Sequence, residues 1–344
     1  MAIHPAQGGA GVRPAEPPAR EVTVARSLVF ATDALEPLGA LTAAAQTSGL
    51  TRVWTTDLPG RDALTRAAFL SAHASGIGIG TGITYAFGRA PQSLAAAAAD
   101  VQRLTGGRFI LGLGTGTSGL RARWGVDFEP PAPRLAQMVG ALRTAWDTEA
   151  LADPPPIAGA GLGEAMLRSV GATCDRVLLA PLCLLREHLD DRALPAISAG
   201  AERRSAPGTP AISAWCIAAI DADGERARAQ ARELIAFYLT RSDYSAMLAQ
   251  TRWGSLAQRL RDAATSNPAG NAALIPDELV DELSISGTPE QAASAAARLE
   301  LELAARGIDE LVLQVPGMAC DAAQYEAHVR RAIAALAPPG DALA

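Results

Sequence analysis

Eight short apolar runs, six to ten residues long, organise the chain, and between them lie stretches with helical spacing. The runs are "SLVFAT" (27–32), "TRVWTT" (51–56), "GIGIGTGIT" (76–84), "RFILGLG" (108–114), "PPIAGA" (155–160), "DRVLLA" (175–180), "AISAWCIAAI" (211–220) and "DELVLQV" (309–315). Runs that are continuously apolar, rather than alternating, predict strands covered on both faces, as in a parallel sheet. Their partners are helices such as the one beginning at Pro91, which Pro opens and Gly106 and Gly107 close. Eight strand-helix units in one chain predict the α/β class and a closed (β/α)8 TIM barrel. The interval between the seventh and eighth strands, about 221–308, is too long for one helix and predicts a helical insertion of two or three helices plus a loop over 265–276. The small-residue stretch "ALTRAAFLSAHASG" (63–76) suits packing against a twin subunit as well as against the barrel's own sheet.

Composition narrows the function classes. Of 344 residues, 49% are hydrophobic and 19% charged, and no uninterrupted apolar run reaches membrane-spanning length. The net charge of −6, with scattered arginines, offers no field for nucleic acid or anionic lipid. Residues 1–20 are rich in Pro, Ala and Gly without the apolar centre of a secretory signal, which reads as a disordered leader on a cytoplasmic protein whose single barrel domain spans 21–344. The cysteines at 174, 183, 216 and 320 have neither a C-x-x-C pair nor a His at ligand spacing, so buried thiols rather than a metal are expected. All 30 basic residues are arginine. Without lysine there is no Schiff base and no Gly-Lys-Ser/Thr phosphate loop, so any phosphate must be held by Arg, hydroxyls or backbone N–H groups.

The stretch "GRFILGLGTGTSG" (107–119) runs an apolar burst into a glycine series. It is not a dinucleotide fingerprint, because its third glycine comes too early and a long polar loop, not a helix, follows. In a barrel, glycines at strand ends either let a flat ligand lie on bare backbone or let the rim pack tightly. Three such series, at the third, fourth and fifth strands, fall on the same rim. The last places Ala160, Gly161, Leu162 and Gly163 at a helix start with Glu164 just inside, a backbone anion site that needs no lysine.

With "GLTRVWTTD" (49–57), "GIGIGTGIT", "GRFILGLGTG", "WGVDFEPPAPRLAQMVGALRTAW" (124–146) and "GTPEQAASAAARLELELAARGIDELVLQVPG" (287–317), the chain resembles the bacterial-luciferase-like flavin and deazaflavin oxidoreductases, particularly the branch using coenzyme F420. The resemblance covers about 27–336. It implies a (β/α)8 barrel, usually a homodimer, with the flavin or deazaflavin ring at the C-terminal rim. It also implies a cis non-proline peptide from Gly82 to Ile83 behind that ring and the cofactor phosphate at Gly159, Ala160, Gly161, Leu162 and Gly163. Gly114, Thr115 and Gly116 join the implied cofactor site.

Departures from the family pattern matter. The family frequently has Asp then His after the second strand, whereas here Asp57 is followed by Leu58. Thr117 stands where the family's glucose-6-phosphate dehydrogenases carry Glu, which argues against that activity. His73, His188 and His328 fall on predicted helices, away from the strand ends. The lid after the helix ending near 150 is short, which predicts an open site for a bulky or carrier-borne substrate. Candidate proton donors are Asp57, Tyr85 and Thr117, with Arg121 or Arg123 as an anion clamp. Each has a bland counterpart: Asp57 as a loop cap, Tyr85 as packing, the arginines as solvated charges. Trp54 and Trp124 read either as covers over the ring and substrate or as core. The expected activity is F420-dependent hydride transfer to or from a small organic substrate. The alternatives are an FMN-dependent monooxygenase using O2 and a flavin-binding or non-redox barrel without hydride transfer.

Overall fold

The computed structural model describes residues 24–123, 125–126, 130–263, 268–317 and 320–338. The leader expected over 1–20 and the candidate Trp124 lie outside the described residues. Ten strands are present among the described residues: β1 (Ala25–Val29), β2 (Arg52–Thr55), β3 (Gly78–Thr81), β4 (Thr84–Tyr85), β5 (Phe109–Gly114), β6 (Ile157–Gly161), β7 (Arg176–Leu179), β8 (Ala211–Ile220), β9 (Ser284–Gly287) and β10 (Glu310–Gln314). Eight of them form a closed parallel ring in the order β10-β1-β2-β3-β5-β6-β7-β8, with β8 pairing back onto β10. This is a (β/α)8 barrel, and each of the eight apolar runs supplies one of its strands.

The runs are continuous because both faces are covered. Val29, Trp54, Ile110, Ala158, Leu178, Trp215 and Val312 point inward and fill the barrel. Their outward neighbours Leu28, Val53, Leu111, Val177, Ala214 and Leu311 pack beneath the surrounding helices. At the base of the barrel, buried Glu310 accepts hydrogen bonds from Ser27, Ser213 (2.6 Å), Trp54 Nε1 (3.2 Å) and Arg176 (3.1 Å), with Arg52 Nε 3.7 Å away.

Two expectations need correction. The third run does not form one strand: β3 ends at Thr81, and β4 resumes after residues 82–83 and pairs with Leu113–Gly114 of β5. The interval after β8 holds more than three helices. Helices at Gly224–Leu239, Ser242–Leu248, Gly254–Ala263, Pro268–Ala272, Asp277–Leu283 and Pro289–Ala305 are present, with β9 paired to the upper half of β8. Several of these helices are one or two turns long, too short to show a hydrophobic period. They enclose a second apolar cluster, containing Leu234, Ile235, Leu248, Leu256, Leu260 and Leu279, that rests on Ile217 and Ala219 of β8. No helix among the described residues is long and apolar enough to cross a membrane.

Candidate active site

At the C-terminal end of the barrel, the segment after β2 and the segment between β3 and β4 are tied together. The Gly82–Ile83 peptide is cis, at the position the family resemblance implied. Gly82 N–H donates to Thr55 O (2.7 Å) and Asp57 N–H donates to Ile83 O (2.8 Å). The Asp57 carboxylate completes the clasp, with Oδ1 accepting from Ala63 N–H (2.5 Å) and Oδ2 from Tyr85 N–H (2.8 Å). Burial raises its pKa, opposed by those two amides. Both oxygens are therefore engaged with backbone, and the carboxylate positions the loop that carries Tyr85.

The glycines at this end are used mainly for close packing. A side chain at Gly80 would run into the Trp54 indole, one at Gly82 into Trp215, one at Gly112 into the Thr81 carbonyl and one at Gly114 into Ile83. Two indoles thus fill the barrel directly below the mouth. Trp54 is fully buried with its Nε1 turned down to Glu310, so it does not reach the mouth as a substrate contact. Trp215 does border it: Nε1 is buried without a hydrogen-bond partner among the described residues. So is Thr84 Oγ1.

Around the mouth stand phenols. Burial pushes Tyr85 up to about 12, with Asp57 adding to the shift, and Tyr238, from the insertion, is likewise pushed up to about 12 by burial. Tyr238 shares a hydrogen bond with the Gln314 amide (2.8–2.9 Å) and its ring lies 5.0 Å from that of Tyr244. These groups are neutral at ordinary pH and suited to donating hydrogen bonds rather than relaying protons.

The loop after β5 contributes less freely than its sequence suggests. Thr115 Oγ1 approaches the Gly116 carbonyl (3.3 Å), and Thr117 heads the helix Ser118–Arg123, receiving N–H groups of Leu120 and Arg121. Gly116 has φ +68° and accepts Arg121 Nη1 at 2.5 Å, so that arginine is folded onto its own loop, while Arg123 is exposed. Across the rim, Ser118 N–H donates to Asp243 (3.2 Å) and the Ser118 and Ser242 hydroxyls lie 3.1 Å apart. The insertion after β8 therefore meets the loop after β5 across this rim, whereas the short segment 149–156 leads into the start of β6 at the opposite end of the barrel and is not a lid over this rim.

At β6 the implied phosphate loop divides by face. Ala160 points into the barrel, whereas Gly159 lies against Val170 and Cys174, and Gly161 against Leu167, of the following helix Glu164–Thr173. Gly163 caps that helix without a side-chain hydrogen bond and has open space beside it. Glu164, in the first turn, pairs with Arg192 (2.7 Å). His188, buried outside the mouth, donates from Nε2 to the Leu162 carbonyl (2.9 Å), which shapes the loop from outside.

Arg61, Tyr238, Tyr244, Trp215 and Gln314 were not anticipated from sequence. Arg61 follows Leu58-Pro59-Gly60, a type II turn pattern that could have flagged it; Gly60 has φ +85°, and Leu58 and Arg61 exchange backbone hydrogen bonds. Gln314 continues the inward series Glu310, Val312. The two tyrosines arrive from the insertion, with no local signal.

Residues 9–310 match the luciferase-like monooxygenase family. The chain is 25% identical over 300 residues to a 5,10-methylenetetrahydromethanopterin reductase of Archaeoglobus fulgidus, covering 79% of this chain and 87% of that one. Its fold is similar to that of a coenzyme F420-dependent tetrahydromethanopterin reductase from Methanopyrus kandleri, with TM-score 0.71, 18% identity and coverage of 92% and 98%. It is also similar to the FMN-bound oxygenating component of 3,6-diketocamphane monooxygenase from Pseudomonas putida, with TM-score 0.62, 15% identity and coverage of 92% and 99%. With residues 9–310 matched and the barrel fold of these enzymes reproduced, the chain belongs to the luciferase-like monooxygenase family.

Proposed function

We propose that the protein is an F420-dependent oxidoreductase that moves hydride to or from a small organic molecule at the C-terminal mouth of the barrel. The observation that carries this reading is the composition of that mouth: neutral phenols, an amide, backbone and a carboxylate whose two oxygens are already engaged. Such a set orients partners and excludes water but does not form a proton relay, and hydride transfer asks for little more. The reductase relatives support the same assignment.

The chain's own groups fit a flat, phosphate-tailed cofactor. Trp215 Nε1 and Thr84 Oγ1 are buried hydrogen-bonding atoms left over at the mouth among the described residues. Gly163 and the uncapped helix behind it offer amides and open space for an anion without lysine. The bound cofactor would supply the hydride-carrying carbon. Ile83 and Trp215 would form the floor beneath it, Asp57 would hold the Ile83 and Tyr85 backbone in place, and Tyr85 and Tyr238 would donate hydrogen bonds toward the substrate's oxygen.

A second reading, a reduced-FMN monooxygenase consuming O2, follows from family membership. Titration of the purified protein with F420 and with FMN, read by cofactor fluorescence, separates the two. Saturable F420 binding, with substrate turnover that consumes no oxygen, is the expected result. FMN binding with oxygen uptake would establish the second reading, and failure of both cofactors would sink the redox assignment.

A further inference from the structure

Arg61 is an unusual cation. Its side chain is only 3% exposed, yet its ion pair among the described residues is a 3.4 Å approach of Nη1 to Asp33, a carboxylate that is itself 92% exposed. Nε is buried with no hydrogen-bond partner among the described residues. The other buried arginines are better served: Arg66 donates to the Thr32 and Asp33 carbonyls, and Arg26 to Glu300 and the Leu336 carbonyl. The groups that feel Arg61 electrostatically are Asp33, Asp57 and the hydroxyls of Tyr85, Tyr238 and Tyr325, with Arg66 adding like charge. Asp33, at 3.4 Å, and Asp57 offset part of the charge, but both Asp57 oxygens are bonded to backbone amides and the phenols are neutral, so Nε is left without an acceptor among the described residues. Burying a guanidinium with a donor left unpaired is costly. Burial accordingly lowers the pKa of Arg61.

The turn that delivers this side chain begins at Leu58. Pro59 and Gly60 reverse the chain, and Arg61 returns toward the strand end beside Asp57 and Tyr85. A buried planar fork of donors whose Nε has no acceptor among the described residues matches the geometry of a carboxylate or phosphate.

We propose that Arg61 is the anion-recognition residue of the barrel mouth, and that a molecule bound there carries a carboxylate or phosphate oxygen which the guanidinium grips. This deepens the functional reading above and rests on the mouth being the reaction site. The anion belongs either to the substrate or to the cofactor's tail, and the two sources are separable by experiment.

Benzoate, with benzamide as its uncharged counterpart, is titrated into the purified full-length protein and followed by saturation-transfer NMR. FMN and riboflavin, which differ only by the phosphate, are titrated in parallel. Wild type is expected to bind an anionic probe more tightly than its neutral counterpart. Arg61→Gln, verified as folded by circular dichroism, is expected to weaken that binding at least about tenfold, and Arg61→Lys to restore much of it. Loss on benzoate alone assigns the anion to the substrate, and loss on FMN but not riboflavin assigns it to the cofactor's phosphate. Should Arg61→Gln not fold, Asp33→Asn, at an exposed position, removes the competing carboxylate and is expected to tighten anion binding. Equal binding of every probe by wild type and Arg61→Gln would overturn the proposal. So would unchanged or weaker anion binding by Asp33→Asn, or no saturable binding of any anionic probe by wild type. Because benzoate needs no cofactor, a protein that binds it through Arg61 but takes up neither F420 nor FMN would remove the redox reading and leave the anion site standing.

Discussion

Asp57 and His188 are both ionisable residues that the fold uses to hold loops. Asp57 joins the Ala63 and Tyr85 amides, and His188 supports Leu162 from behind. Burial is the main cause that lowers the His188 pKa below its usual 6.5, helped by Arg192 and opposed by the bond to Leu162. The consequence for stability has a definite sign. Above the unfolded value the ring is neutral in both states and its contribution is complete. As pH falls below it, the unfolded chain takes up a proton that the folded chain resists, and stability drops until the folded pKa is passed. The slope contributed is at most about 1.4 kcal/mol per pH unit. His188→Gln is expected to flatten the urea-midpoint profile as pH falls below about 6.5; a profile as steep as wild type would contradict this role.

Between β3 and β5 the backbone ladder covers only Ile79 and Gly80, and a side chain takes over where it stops. Thr81 Oγ1 donates to the Gly112 carbonyl (2.8 Å) and accepts the Gly112 N–H (2.9 Å), which draws the two strands so close that Gly112 has no room for a Cβ. Gly112→Ala must push the Thr81 backbone aside and is expected to cost about 1–3 kcal/mol or more, read as a lower denaturation midpoint. Gly163→Ala, with φ −90° and open space, is expected to change stability by no more than about 0.5 kcal/mol. Equal destabilisation by the two substitutions would mean that the glycines on this rim do not divide into packing and open positions as described. The glycine series were legible as strand ends, but which of them meet an indole, a carbonyl or empty space depends on the strand across the gap.

For the molecule as a whole, barrel closure depends on a charge network at the base as well as on apolar filling above it. Glu310, 3% exposed, sits between Arg52 and Arg176 and also accepts from Ser27, Ser213 and Trp54. It joins β10 to β1, β2, β7 and β8, the strands on both sides of the closing seam. Glu310→Gln keeps the shape but leaves two largely enclosed guanidinium groups, each with under a fifth of its side chain exposed, without their counter-charge. The expected loss is about 3–5 kcal/mol, seen as a large fall in thermal midpoint. A midpoint within a degree or two of wild type would show that the base tolerates the uncompensated charge. At the opposite end, the insertion after β8 supplies Tyr238 and Tyr244 to the mouth and meets the Ser118 loop across the rim. The molecule thus joins its most distant segments at the two ends of one barrel.

The sequence by itself determined the eight strands, their parallel closure and the strand ends at which the glycine series fall. These follow from local apolar period and from glycine and proline punctuation, which each segment carries without its neighbours. The lack of lysine was equally local. Tertiary structure alone decided that Trp54 is core, that the Asp57 carboxylate is spent on backbone amides, that Arg121 folds onto Gly116, and that Arg61 and two insertion tyrosines reach the mouth. Burial, hydrogen-bond pairing and electrostatic environment are properties of juxtaposed segments, and no periodicity within one segment encodes which distant residue will stand opposite it.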